Sequence, residues 1–283
     1  MSTTTPDHPP APARSGVTAY LLSSLAGWLA VVGTLYAFAR RDWVVYHPDT
    51  FLHFRWASDL SHRLWLEPLS ALREAVWTIR HLDYNQAGAL LVSPVLTVLG
   101  TSWPVYLAAI GLVLLGSVLW TGQAVLAGGF RRAGLPAGGL WFAVAVLVAH
   151  PYFIPAGAVG YICSFGLVPL LMACLLLLAE DRVRFTWRLP VMALLLALAV
   201  MYRKWYAYWV VAFVAAAGVD ALVRERQAGR AWWPALVRAG LWTAALGGLA
   251  GAWFFALAHP LGLFILRTDY SDIFAGYRDS HGY

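Results

Sequence analysis

Eight apolar runs divide this chain, at 17–39, 87–100, 103–128, 135–149, 161–179, 189–202, 205–223 and 235–258. Such runs enclose no aqueous core. They suit hydrocarbon, where a crossing takes about 20 apolar residues and the backbone must be satisfied within its own segment, hence as helix. The chain is 60% hydrophobic and 12% charged, half the roughly 25% charge of soluble domains. A soluble enzyme, a coiled coil and a wholly disordered chain are excluded. Fifteen Trp and thirteen Tyr suit many membrane–water boundaries. The reading is an all-α polytopic membrane helix bundle of about seven transmembrane helices.

Residues 1–16, rich in Pro, Thr and Ala, read as a disordered cytoplasmic tail. The run at 17–39 exceeds a signal core and reads as a retained first span. The membrane unit is expected over 17–258, with an outer C-terminal segment over 259–283 that is either a free terminus or the start of an outer domain. Net charge +6 comes from nineteen Arg and one Lys spread between the runs. That pattern fits topology and anionic headgroups rather than nucleic acid. Cys163 and Cys174 lie in one apolar run and read as small buried residues, with no disulfide or metal framework.

Positive charge orients the bundle. Arg131–Arg132, then Arg182, Arg184 and Arg188, then Arg224, Arg226 and Arg230 belong on the cytoplasmic side, whereas 150–160 carries no Lys or Arg. With a cytoplasmic tail, parity requires that one early run fail to cross. The run at 87–100 is short and holds Ser93-Pro94, so it reads as re-entrant or interfacial. Seven crossings remain, placing the protein in the plasma (inner) membrane with its N-terminus inside and its C-terminus outside.

Residues 40–102 then form one long outer loop. Leu52, Trp56, Leu60 and Leu64, and then Leu69, Leu72, Val76 and Ile79, recur at helical spacing opposite polar residues. Two amphipathic juxtamembrane helices lying in the outer interface are implied. Among the loop's acids, Asp59 is flanked at four residues by Arg55 and Arg63, which suffices as an ion pair. Glu67 precedes Pro68 at a helix start. Asp49 follows His47-Pro48 and has no Arg or Lys three or four residues away on its helix. It reads equally as a general base and as a cap for a helix starting near Thr50.

The second feature is Tyr202-Arg203-Lys204-Trp205-Tyr206-Ala207-Tyr208-Trp209, two cations within an aromatic cluster between apolar runs. Charge at this depth is costly and faces a cavity, a partner or the headgroups. Parity puts it on the outer side with Asp49, where it suits the phosphate of a lipid carrier. Tyr206, His53, Asp83 and His259 complete the candidate substrate-binding set. No Walker loop, dinucleotide fingerprint, HExxH or GxSxG occurs.

Taken together, the acid after the first span in His47-Pro48-Asp49-Thr50-Phe51, the juxtamembrane helices, the segment from Asp83-Tyr84-Asn85-Gln86 to Leu99-Gly100, and basic turns such as Phe130-Arg131-Arg132 resemble the GT-C fold. That superfamily comprises integral-membrane glycosyltransferases that use polyprenyl-phosphate sugars. The resemblance implies that Asp49 is the catalytic base or a metal-binding acid, that Arg203 or Lys204 binds the donor phosphate, and that a polyprenyl-phosphate sugar and membrane lipids are the partners. It requires no nucleotide or redox cofactor. A divalent metal is possible but unsupported, because 150–157 lacks the second acid that the family often carries. The alternatives are a non-catalytic membrane subunit or lipid-binding scaffold, and one half of a split enzyme completed by a second membrane subunit. A transporter ranks behind both, since no central span pairs an acid with a base.

Overall fold

The computed structural model describes residues 14–41, 48–82, 85–150, 153–158, 163–180 and 183–259. Their regular structure is entirely helical. In chain order the helices are α1 (Arg14–Arg41), α2 (Pro48–Leu66), α3 (Pro68–His81), α4 (Ala87–Leu99), α5 (Trp103–Ala109), α6 (Gly116–Ala133), α7 (Gly139–Ala149), α8 (Phe153–Ala158), α9 (Leu167–Leu178), α10 (Arg188–Tyr202), α11 (Tyr206–Gln227) and α12 (Trp232–Leu257). Four are long and apolar enough to cross a membrane: Gly16–Arg41, Trp103–Ala133, Tyr206–Gln227 and Trp232–Leu257. Four further apolar helices, Ala87–Leu99, Gly139–Ala149, Ser164–Leu178 and Arg188–Tyr202, are shorter. Expectations for the N-terminal tail before residue 14 and for the chain after His259 lie outside the described residues.

The rod from α5 to α6 is continuous through a π-helical stretch, Ile110–Leu115. Its cause is local. The Trp28 indole donates to the Leu112 carbonyl at 2.9 Å and lies where a Cβ on Gly116 would stand, so the rod opens by one residue to admit the ring. With Tyr20 Oη donating to Trp120 O at 3.4 Å and Leu35 against Gly111, α1 runs antiparallel to this rod. On the far side, α9 follows α6, with Leu171 near Gly122 and Leu178 near Gly128. The last three helices pack on one another, and Thr243 lies against Gly218.

This path brings the three basic turns to one end. Arg132 and Arg224 both donate to the Glu180 carbonyl, and Arg188 reaches Ala179 O at 2.8 Å. Buried Glu225 binds Arg230 at 2.7 Å and Arg238 at 3.5 Å. Two of these turns are closed by glycine at positive φ, Gly134 at 66° and Gly229 at 80°. In each, the next N–H returns to the carbonyl five residues back, Leu135 to Phe130 and Arg230 to Glu225. These are Schellman closures, in which the left-handed residue is normally glycine.

At the opposite end α2, α3 and α4 form a layer. Arg63 binds Glu74 at 2.6 Å and Asp59 at 3.5 Å, the ion pair anticipated for Asp59. Glu67 is the N-cap of α3 with Pro68 at N1, and its side chain makes no cap hydrogen bond. On α3, Ala71, Ala75 and Thr78 face the protein, whereas Leu69, Leu72, Val76 and Trp77 are exposed. Most of its predicted stripe therefore points outward, and only Ile79 packs inward against the core. Pro94 sits inside α4, where it removes the N–H that would bind Leu90 O. The Ser93 hydroxyl donates to that carbonyl instead, at 2.9 Å.

Candidate functional site

Asp49 stands in the first turn of α2, which begins one residue earlier, at Pro48. It is half-buried inside the helix rather than capping it. The direction of α2 follows from its packing. The two helices α2 and α4 lie along one another and share the buried Ala57, Leu60, Ala89, Val92 and Leu96. The Thr97 hydroxyl donates to Ser61 O at 3.0 Å, across a sequence offset of 36. In an antiparallel pair with that contact, the start of α4 would lie beyond the end of α2. Extended packing therefore requires the two to run in the same direction. The shared direction turns the first turn of α2, with Asp49, toward the same end of α4 as Asn85.

Asn85 leads to the second candidate feature. Its side-chain amide donates to Met201 O at 3.2 Å and Tyr202 O at 3.0 Å, the last carbonyls of α10. The next residue is Arg203. It caps α10 in extended conformation, φ −158° and ψ 130°, and is 8% exposed. Its carbonyl accepts from the Tyr206 N–H at 3.0 Å, and that of Lys204 from the Ala207 N–H at 2.9 Å. Arg203 and Lys204 thus occupy the corner that opens α11, where the positive end of the helix dipole favours an anion. Trp205, Tyr208 and Trp209 are 65%, 76% and 62% exposed beside it, an aromatic fringe suited to an interface. Asp49, Asn85, Arg203 and Lys204 share the end of the bundle opposite the basic turns.

The remaining candidates divide. Tyr206 is buried with its ring lying where a Cβ on Gly166 would stand, so it joins α11 to the turn at Cys163–Gly166. His53, 2% exposed, meets Trp56 edge-on at 5.4 Å one turn beyond Asp49. His259 is exposed at the end of α12. Its N–H donates to Arg80 O at 2.8 Å, and its ring stacks on His81 at 5.3 Å, which stacks on Trp77 at 4.8 Å. Asp83 lies outside the described residues. Among the described residues, no group of three or more His, Cys, Asp or Glu is placed to hold a metal ion.

Arg80, His81 and Asn85 were missed from the sequence. Arg80 Nε donates to Leu257 O at 2.9 Å, closing α3 onto α12. The polar pair Asn85-Gln86 just before an apolar run was the available signal. A cavity of about 430 Å³ lined by Ser61, His62, Trp65, Leu66, Leu96, Thr97, Gly100 and Thr101 lies at the other end of α4. That helix has 13 residues and is about 20 Å long, so the cavity is separate from the Arg203 corner. No protein-family model, curated protein or solved structure matches this chain.

Proposed function

We propose that this protein is a membrane glycosyltransferase of GT-C type that moves a sugar from a polyprenyl-phosphate donor to an acceptor hydroxyl at the outer face of the membrane. What supports this reading is that Asn85 ties the start of α4 to the corner bearing Arg203 and Lys204, while α2, packed along α4 in the same direction, turns its first turn with Asp49 toward that end. Asp49 takes the acceptor proton as the acceptor oxygen attacks the anomeric carbon. The bond from that carbon to the phosphate oxygen breaks, and the phosphate leaves with the electron pair. Arg203 and Lys204 stabilise the charge that grows on it. Phosphate is a fair leaving group, so no nucleotide or redox cofactor enters.

In the accompanying topology seven segments cross: α1, the α5–α6 rod, α7, α9, α10, α11 and α12. The shorter α4 enters from the outer side without crossing, and α2, packed along it, and α3 belong to the same outer layer. The exposed apolar face of α3 supports that placement, and the shared end of the basic turns supports a cytoplasmic position for them. The N-terminus is then inside and the C-terminus outside.

The test is sugar transfer by the full chain in nanodiscs, supplied with a radiolabelled polyprenyl-phosphate sugar and membrane-extracted acceptors. Asp49→Asn should lower transfer by about 10²- to 10⁴-fold, the worth of a positioned base, with expression and folding unchanged. Transfer at wild-type rate would remove Asp49 from the chemistry. Binding of decaprenyl phosphate by a wild type that transfers nothing would leave the lipid-binding subunit instead.

A further inference from the structure

The layer carrying Asp49 and the corner carrying Arg203 come from distant parts of the chain, and one side chain ties them. The carbonyls ending a helix lack partners within it, and glycine at positive φ commonly supplies the closure. Helix α10 has no such glycine; Arg203 follows in extended conformation. The carbonyls of Met201 and Tyr202 are met from outside, by Asn85 Nδ2 at 3.2 and 3.0 Å. The same amide also reaches Leu82 O at 3.3 Å, and its Oδ1 accepts from the Ala87 N–H at 3.0 Å, in the first turn of α4. One carboxamide, 5% exposed, therefore closes the end of α10 and the beginning of α4 together.

We propose that Asn85 is a positioning residue, which by joining these two helix ends fixes where Arg203 leaves α10 relative to the layer of α2, α3 and α4. Its effect on turnover rests on the sugar-transfer reading; the geometry does not. The chemistry requires an amide. The nitrogen must donate to carbonyls while the oxygen accepts an N–H, so the partners themselves decide how the group is oriented. An ionised Asp has the same shape but brings an anion against two carbonyls at the negative end of the α10 dipole. A protonated Asp regains a donor. Next to Asn85, the Gln86 N–H donates to Thr78 Oγ1 at 3.1 Å and its amide to Glu74 at 3.3 Å. The start of α4 is thereby held on α3, so that a shift at residue 85 moves the layer as a unit.

The experiment uses the full chain in nanodiscs, with Cys163→Ser and Cys174→Ala and spin labels on the exposed positions of Arg55→Cys in α2 and Tyr208→Cys in α11. Asn85→Ala and Asn85→Asp should broaden or shift the inter-label distance at neutral pH. Asn85→Asp should return toward the wild-type distribution as acid protonates it, while wild type stays constant. In transfer assays both variants should lose up to about 100-fold in kcat, as expected for a misplacement of about 1 Å, with KM for the polyprenyl-phosphate sugar little changed. Wild-type distances for Asn85→Asp at neutral pH, or a broadened distribution that acid does not restore, would overturn the proposal. If Asn85→Ala fails to fold, the isosteric Asp variant decides alone. Distances that respond as expected in a protein that transfers no sugar would uphold the positioning role and sink the glycosyltransferase reading.

Discussion

At the scale of single residues, Glu74 ties the outer layer together. It accepts from Arg63 of α2 at 2.6 Å and from Gln86, just before α4, at 3.3 Å. The Arg63 hydrogen bond is the largest influence on its carboxyl and holds it below the usual carboxylate value, with partial burial working the other way. A carboxyl depressed by folding contributes stability that is complete above the unfolded value of about 4.3 and is lost as pH falls through the folded one. The thermal midpoint should therefore decline below about pH 4.3, and Arg63→Gln should flatten that decline. With Glu74 45% exposed, water screens the pair and the change is small. An equal effect of Arg63→Gln at neutral and at acid pH would refute this account. Gly166 is the opposite case, a constraint of shape alone. A methyl there overlaps the Tyr206 ring, so Gly166→Ala should cost about 1–3 kcal/mol of stability, measured as a lower melting temperature in detergent. Tyr206 was legible in the sequence as part of an aromatic cluster, but its role as packing against glycine was not, because its partner comes from another element.

Among the elements, α4 shows most clearly what local pattern conveys. Its short apolar length and internal Pro94 mark it in the sequence as a segment unlike its neighbours, and it forms over 87–99 as expected. How the helix tolerates Pro94 depends on the hydroxyl one residue earlier. Ser93→Ala leaves the half-buried Leu90 carbonyl without that donor, a loss of about 1 kcal/mol. An unchanged melting temperature would mean that the carbonyl finds another partner. Apolar runs elsewhere mark the elements but not their ends: the run ending at 128 continues as helix through Arg131 and Arg132 to Ala133, where Gly134 closes it. The outward face of α3 was not legible either. Spacing predicts a stripe at Leu69, Leu72, Val76 and Ile79, but only packing shows that the small residues Ala71 and Ala75 take the inner side. The ties of Asn85 run to residues 116 and 117 positions later, and no window of local sequence contains such a pair.

For the whole molecule, the gathering of the three basic turns at one end, away from the layer of α2, α3 and α4, is the feature from which the rest follows. One end gathers Arg132, Arg188, Arg224, Arg230 and Arg238 around the carbonyls of Ala179 and Glu180 and the carboxylate of Glu225. The other holds Asp49, Asn85, Arg203 and His259. The sequence already divided the basic turns from the Asp49 side by charge counting. That Asp49 faces the same end of the bundle as the Arg203 corner was beyond it, since that depends on α2 and α4 running in parallel. The proposed topology makes this division a matter of compartment. A membrane-impermeant maleimide applied to intact cells should label Ser102→Cys and Trp205→Cys in a cysteine-free background. It should reach Leu135→Cys and Ala228→Cys only in inverted vesicles. All four positions are exposed, so access is set by sidedness rather than burial. If Ser102→Cys and Trp205→Cys labelled from opposite faces, the first turn of α2 and the Arg203 corner could not share an outer crevice, and sugar transfer would lose its site. If all four positions reversed together, the site would survive and the chemistry would move to the cytoplasmic leaflet, where a donor presented to the outer face could not reach it.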